Sequence, residues 1–210
     1  MSGLPWPPAA ADLRERGCTN RLLPVGTTLW RVHATVGPYV LPWDRARTYG
    51  PVDRFDPHPL PVGDDSGVGV LYTALSVRTC LAEVFQDSRV VMTEQRPYAT
   101  SWPTTRDLDL VDLTGTAALL LGAADAIGAD RRRARTQAWA RALLEAFPAV
   151  DGFWHRSAMD GGDCVCLVSC VASGALDAVP PRPAFSLPLT HRSMADVVDV
   201  AASEIGYLVV

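Results

Sequence analysis

The chain has 210 residues, 48% of them hydrophobic and 20% charged, with a formal net charge of −4. That length accommodates one domain with a real core, the composition is that of a globular protein, and the charge offers no global attraction to nucleic acid. All 19 basic residues are arginine, which excludes a Schiff-base or phosphate-binding lysine.

In chain order, residues 1–27 are rich in Pro, Ala and Gly without a clear period. They read as a loosely packed N-terminal arm with a short helix over 9–16, ahead of a single domain over 28–210. No run approaches the roughly 18 uncharged apolar residues of a membrane helix. No basic region precedes an apolar stretch as in a secretion signal. A cytoplasmic chain without a membrane partner is the resulting expectation.

Residues 28–33 alternate and predict a strand, with Arg31 on the opposite face from Trp30 and Val32. The Pro-, Gly- and Asp-rich stretch 34–67 predicts a long irregular loop carrying Arg54; such loops are commonly functional. A buried strand is predicted over 67–73, including Tyr72. Ser76 is a good N-cap for a helix running to about residue 86. The apolar stripe of that helix is Val77, Cys80, Leu81, Val84 and Phe85, with Glu83 on its flank.

Further strands are predicted within 89–102 and over 108–113, and a short helix over 116–122. The clearest amphipathic helix is 130–147, with Ala134, Ala138, Trp139, Ala142, Leu143 and Phe147 inward. Its Arg131-Arg132-Arg133 run reads as a solvated face rather than a nucleic-acid contact. Two strands, 150–155 and 163–171, flank a turn at Gly161-Gly162. Pro180, Pro181 and Pro183 break the chain before a helix over 195–203 and a terminal strand over 205–210. Without strict strand–helix alternation, the pattern predicts an α+β fold with a mixed or antiparallel central sheet and flanking helices.

Cys164, Cys166 and Cys170 are spaced by two and four, which places them on one face of a strand as reduced core thiols. That spacing does not suit a tetrahedral metal site, and the four histidines show no ligand pattern, so no metal is expected. Nucleotide motifs of the Gly-x-Gly-x-x-Gly and Gly-x4-Gly-Lys types are missing, as is a Gly-x-Ser-x-Gly elbow. His155 and Ser157 share a strand face, a hydrolase-like pair without an evident Asp partner.

Arg31, Arg54, Tyr72, Glu83 and Ser157 stand out as polar residues in apolar frames. Two guanidiniums, a phenol, a carboxylate and a hydroxyl suit a phosphorylated sugar. Arginine binds phosphate bidentately, and a carboxylate stabilises an oxocarbenium ion. Four of the five also have a plainer reading. Arg31 could form a buried ion pair with Asp56, Tyr72 could be a core aromatic, Glu83 a solvated helix residue and Ser157 an ordinary turn serine.

Three segments carry a family resemblance: Leu29-Trp30-Arg31-Val32-His33; Tyr72-Thr73-Ala74-Leu75-Ser76 with Leu81-Ala82-Glu83-Val84; and Asp151-Gly152 through Ser157 to Gly161-Gly162-Asp163-Cys164. This order resembles the RES family of toxins, from about residue 29 to about 171. Many relatives have Gly-Gly-Arg-Trp where this chain has Val52-Asp53-Arg54-Phe55. The resemblance implies an ADP-ribosyltransferase-like fold. It also implies a type II toxin that cleaves the nicotinamide–ribose bond of NAD, with phosphate or water as acceptor.

In that scheme Glu83, Arg31 and Tyr72 are catalytic, and Arg31, Arg54, Tyr72 and Ser157 bind NAD. Glu83 faces the developing ribose cation and Tyr72 stacks on nicotinamide. Arg31 and Arg54 hold the pyrophosphate or an attacking phosphate, and Ser157 bonds a phosphate or ribose oxygen. NAD is a substrate rather than a prosthetic group, and inorganic phosphate is a co-substrate if it, rather than water, is the acceptor. The implied partner is a small helix-turn-helix antitoxin; a homo-oligomer is left open. The alternatives are an ADP-ribosyltransferase acting on a protein, and a non-catalytic module binding NAD or protein.

Overall fold

The structure, a computed structural model, describes residues 3–65, 67–124, 127–128, 130, 132–170 and 175–210, without the side chains of Cys170 and Ala175. Its centre is an eight-stranded sheet. The strands are β1 (Asn20–Leu23), β2 (Thr28–His33), β5 (Val68–Ala74), β7 (Tyr98–Pro103), β8 (Leu108–Asp112), β9 (Gly152–Arg156), β10 (Asp163–Cys170) and β11 (Phe185–Pro188), in the order β1-β8-β9-β10-β5-β2-β7-β11. Only the β8–β9 pairing is parallel within this sheet. Two small ribbons join β3 (Tyr49–Gly50) to β4 (Gly63–Asp64), and β6 (Val90–Val91) to β12 (Leu208–Val209). The expected mixed, mostly antiparallel α+β architecture is present.

Five α-helices flank the sheet among the described residues: α1 (Ala10–Arg16), α2 (Val77–Val84), α3 (Gly115–Leu121), α4 (Arg133–Ala146) and α5 (Arg192–Ile205). Strand alternation sorts the core. Cys166 and Val168 of β10 pack with Trp139 and Leu143 of α4 and Leu121 of α3. Cys164, two residues earlier on the same face, packs with Leu81 of α2 and Val198 of α5. Val165 and Leu167 point to the other face, against Trp102 and Trp154. One face therefore carries two helix groups, and the cleft opens where they part. Burying each large apolar side chain of this kind contributes about 1.5–3 kcal/mol.

Four sequence expectations need correction. The arm is not loosely packed: Leu4 and Leu13 are 1% and 0% exposed, β1 is an edge strand of the main sheet, and Trp139 Nε1 donates to the Pro5 carbonyl at 2.9 Å. The inward face of α4 is rotated relative to prediction. Ala134 is exposed, whereas Thr136 and Gln137 are buried with Trp139, Ala140, Leu143 and Ala146. Val84, expected in the apolar stripe of α2, is 50% exposed at the cleft. The terminal strand is shorter than predicted because α5 continues through Ile205. Arg131, Val171 and the side chain of Cys170 lie outside the described residues. No helix is long and apolar enough to cross a membrane among the described residues.

Candidate functional site

A cleft with a volume of about 490 Å³ lies over β2, β5 and β10, and Arg31, Arg54, Tyr72 and Glu83 line it. Ser157 is not among the lining residues but touches one of them. Its Oγ donates to Glu83 Oε1 at 2.6 Å across 74 residues of sequence.

The local chain explains this meeting. Ser76 caps α2 by accepting from Thr79 N at 3.1 Å, which starts the helix that carries Glu83 to the cleft. On the other side, Ser157 follows β9 and opens a tight turn, with its N–H bonded to the Gly162 carbonyl at 2.8 Å. Gly161 takes a φ of 70° in that turn, which favours glycine. A Cβ on Gly162 would stand 2.1 Å from Thr79 Oγ1, so only glycine lets the turn approach α2 this closely. Asp160 ties the two together. It accepts from Thr79 Oγ1 at 3.0 Å, Arg78 Nε at 3.1 Å and Gly162 N at 3.0 Å. Burial works to raise its carboxyl, but these bonds hold it below the ordinary value.

Ser157 is thus a positioning residue. Its hydroxyl proton goes to Glu83, while Met159 N and Asp160 N donate to its oxygen at 3.1 and 3.3 Å. With its donor and lone pairs occupied, its hydroxyl braces the Glu83 carboxylate from outside the cleft lining. His155 is not its partner either. Nδ1 of His155 lies 3.2 Å from the Arg156 carbonyl, and the ring packs on Phe55 with centroids 4.6 Å apart. Burial lowers its pKa to about 4, so the imidazole is neutral near pH 7. The hydrolase-like pair does not form.

Arg31 reaches the cleft from β2. Its Nη1 donates to the carbonyls of Pro42, Trp43 and Arg45 at 3.3, 2.9 and 3.1 Å. This pins the loop against the sheet. Burial lowers its pKa to about 10, yet it stays cationic at neutral pH. The suggested ion pair of Arg31 with Asp56 is not formed. Asp56, 0% exposed, is held by Arg47, a residue that no local sequence signal marks.

Arg47 forks onto Asp56 with Nη1–Oδ2 and Nη2–Oδ1 both at 2.9 Å, and its Nη2 also meets Asp53 Oδ2 at 2.8 Å. Asp56 further accepts from Val52 N at 2.6 Å, Asp53 N at 2.8 Å and the Tyr72 hydroxyl at 2.8 Å. Burial opposes ionisation of Asp56, but Arg47 and the two backbone N–H groups win and hold its carboxyl below the ordinary value. The Tyr72 hydroxyl also accepts from Phe55 N at 3.0 Å. Its tip is therefore satisfied within the protein, and burial raises its pKa well above the ordinary value. What Tyr72 offers the cleft is the side of its ring.

Arg54 lines the cleft and donates to the Gly128 carbonyl. Arg133, at the start of α4, also lines it and donates to the Val52 carbonyl at 3.2 Å. Four arginines, Arg31, Arg47, Arg54 and Arg133, therefore border one cavity, with Glu83 on α2 among the lining residues. Cys80 and Cys164 also line it. Burial pushes the Cys80 thiol up to about 12 and raises that of Cys164, so both stay protonated near pH 7.

Comparison with known proteins adds two findings. A family model described as the RES domain matches residues 28–190. Among solved structures, a chain of the M. tuberculosis MbcT–MbcA toxin–antitoxin complex is similar, with a TM-score of 0.61 at 19% identity, over 89% of this chain and 94% of that one. At that identity the likeness is one of fold. No curated protein matches.

Proposed function

From a chain that belongs to the RES domain family and whose cleft sets Glu83 among arginines, we propose an NAD-degrading toxin of a toxin–antitoxin pair. The observation that carries this reading is the 2.6 Å bond by which Ser157 fixes the Glu83 carboxylate in an arginine-lined cleft. The family membership supports it, as does a fold shared with a toxin–antitoxin complex.

In the proposed reaction, the bond between the ribose anomeric carbon and the nicotinamide nitrogen breaks. The electron pair leaves with nicotinamide, which departs neutral, and positive charge develops on the ribose. Glu83 stabilises that charge because its position is already fixed, so little reorganisation is needed at the transition state. Arg54 and Arg31 stabilise the pyrophosphate, and the Tyr72 ring packs beside the base. An oxygen lone pair of inorganic phosphate then forms the new bond to the anomeric carbon. With water as acceptor, the same step releases a proton and gives ADP-ribose. A protein side chain as acceptor would make the chain a transferase.

Uncontrolled NAD loss harms the producing cell, so the reading includes a tight inhibitor, a small helix-turn-helix antitoxin. Its blocking segment presents carboxylates to the cleft arginines. The test is incubation of purified chain with NAD, with and without phosphate, and mass analysis of the products. ADP-ribose bearing one added phosphate identifies phosphorolysis, and plain ADP-ribose identifies hydrolysis. Intact NAD under both conditions contradicts the proposal.

A further inference from the structure

Arg47 holds two carboxylates, and they differ in kind. Asp56 is 0% exposed, receives the arginine fork and is saturated by two backbone N–H groups and the Tyr72 hydroxyl. It neutralises Arg47 permanently and organises the loop. Asp53 receives only a shared Nη2 at 2.8 Å, and its side chain is 46% exposed. Its hold on Arg47 is a single hydrogen bond from a nitrogen that also serves Asp56. Asp53 therefore contributes a second negative charge to a guanidinium whose charge Asp56 has already balanced.

That second charge stands in the cleft itself. Asp53, Arg47, Arg54 and Arg133 all line the same cavity. An anionic ligand that reached Arg47 in place of the Asp53 carboxylate would share the cavity with the guanidiniums of Arg54 and Arg133. The hold of Asp53 is weak, because Nη2 of Arg47 is shared with Asp56 and the Asp53 side chain is half open to the cleft.

We infer that Asp53 is an internal stand-in for a ligand phosphate on Arg47, and that a phosphate-bearing ligand must displace it, so that Asp53 sets the affinity of the cleft for such ligands. Displacement needs only a side-chain rotation. The Asp53 backbone is anchored independently, its N–H on Asp56 Oδ2 at 2.8 Å and its carbonyl accepting from Gln137 Nε2 at 3.0 Å. A phosphate oxygen arriving at Arg47 exchanges one charge-assisted hydrogen bond for another and is no longer repelled by the carboxylate. As applied to NAD, the inference rests on the function proposed above; as applied to a bare phosphate ligand, it does not.

The experiment is calorimetric titration of wild type, Asp53→Asn and Asp53→Ser with inorganic pyrophosphate and, separately, with NAD. Asp199→Asn on α5, an exposed residue, controls for the change in net charge. The serine variant controls for a residual amide bond to Arg47. Both Asp53 variants should bind pyrophosphate about fivefold or more tightly than wild type, with Asp199→Asn unchanged. Equal or weaker binding by the Asp53 variants, or equal tightening by Asp199→Asn, overturns the inference. If the Asp53 variants tighten pyrophosphate while no form takes NAD, the stand-in role holds and the NAD reading fails. If wild type consumes NAD and the Asp53 variants bind both probes as wild type does, the stand-in role fails and the NAD reading holds.

Discussion

Ser157→Ala separates positioning from catalysis in this cleft. The substitution removes the 2.6 Å hydroxyl–carboxylate bond to Glu83 and the acceptor for Met159 N and Asp160 N, at a residue only 4% exposed. A hydrogen bond to a charged group is worth about 1.5–3 kcal/mol. If the whole of that value serves to hold Glu83 against the developing cation, kcat/KM for NAD falls roughly 10- to 150-fold. Two backbone donors left without their acceptor should cost a further stability loss of about 1–3 kcal/mol. The assay is steady-state NAD consumption beside thermal denaturation, at a temperature where the variant is fully folded. Ser157→Thr, which retains the hydroxyl, should recover most of the activity. A folded Ser157→Ala with wild-type kcat/KM would refute the positioning argument, because the Glu83 carboxylate would then be held by something else.

Arg31→Lys and Arg54→Lys should each lose roughly tenfold or more in kcat/KM, since an ammonium lacks the planar fork; full activity in both variants would place the phosphate contacts elsewhere. Stability should fall as pH drops from about 6.5 towards 4. His155 has a folded pKa of about 4 against 6.5 for the free side chain, so the unfolded chain binds the extra proton first. His33 and His58 are lowered in the same direction. Chemical denaturation at pH 7 and pH 5 checks this, and His155→Phe should show the smaller loss; a pH-independent midpoint contradicts it.

Much of the scaffold is legible in the sequence because it follows from local rules. The period-2 run at β2, the Ser76 cap and the Gly161-Gly162 turn each declare themselves within a few residues. What escapes is written in distant contacts. Arg47 looks like any arginine in a Pro-rich loop until Asp56 and Asp53 fold back on it. The burial of Gln137 and Thr136 is invisible to a hydrophobic pattern. Each is buried by satisfying a backbone carbonyl, Gln137 that of Asp53 and Thr136 that of Arg133. Leu4 stands in a Pro-rich stretch and Leu13 between Asp12 and Arg14, and only the tertiary fold gives them α4 as a partner. Ser157 stands out by its frame, but its acceptor lies 74 residues away, so its role as a brace for Glu83 needs the structure.

The most direct measurement is the time course of NAD loss with purified wild type and Glu83→Gln under the same conditions, with folding of the variant verified. Glutamine keeps the shape and can still accept from Ser157, but it removes the charge facing the developing cation. Wild type should release one nicotinamide for each NAD lost, and Glu83→Gln should be slower by about a hundredfold or more. Near-equal rates in two folded proteins would contradict it.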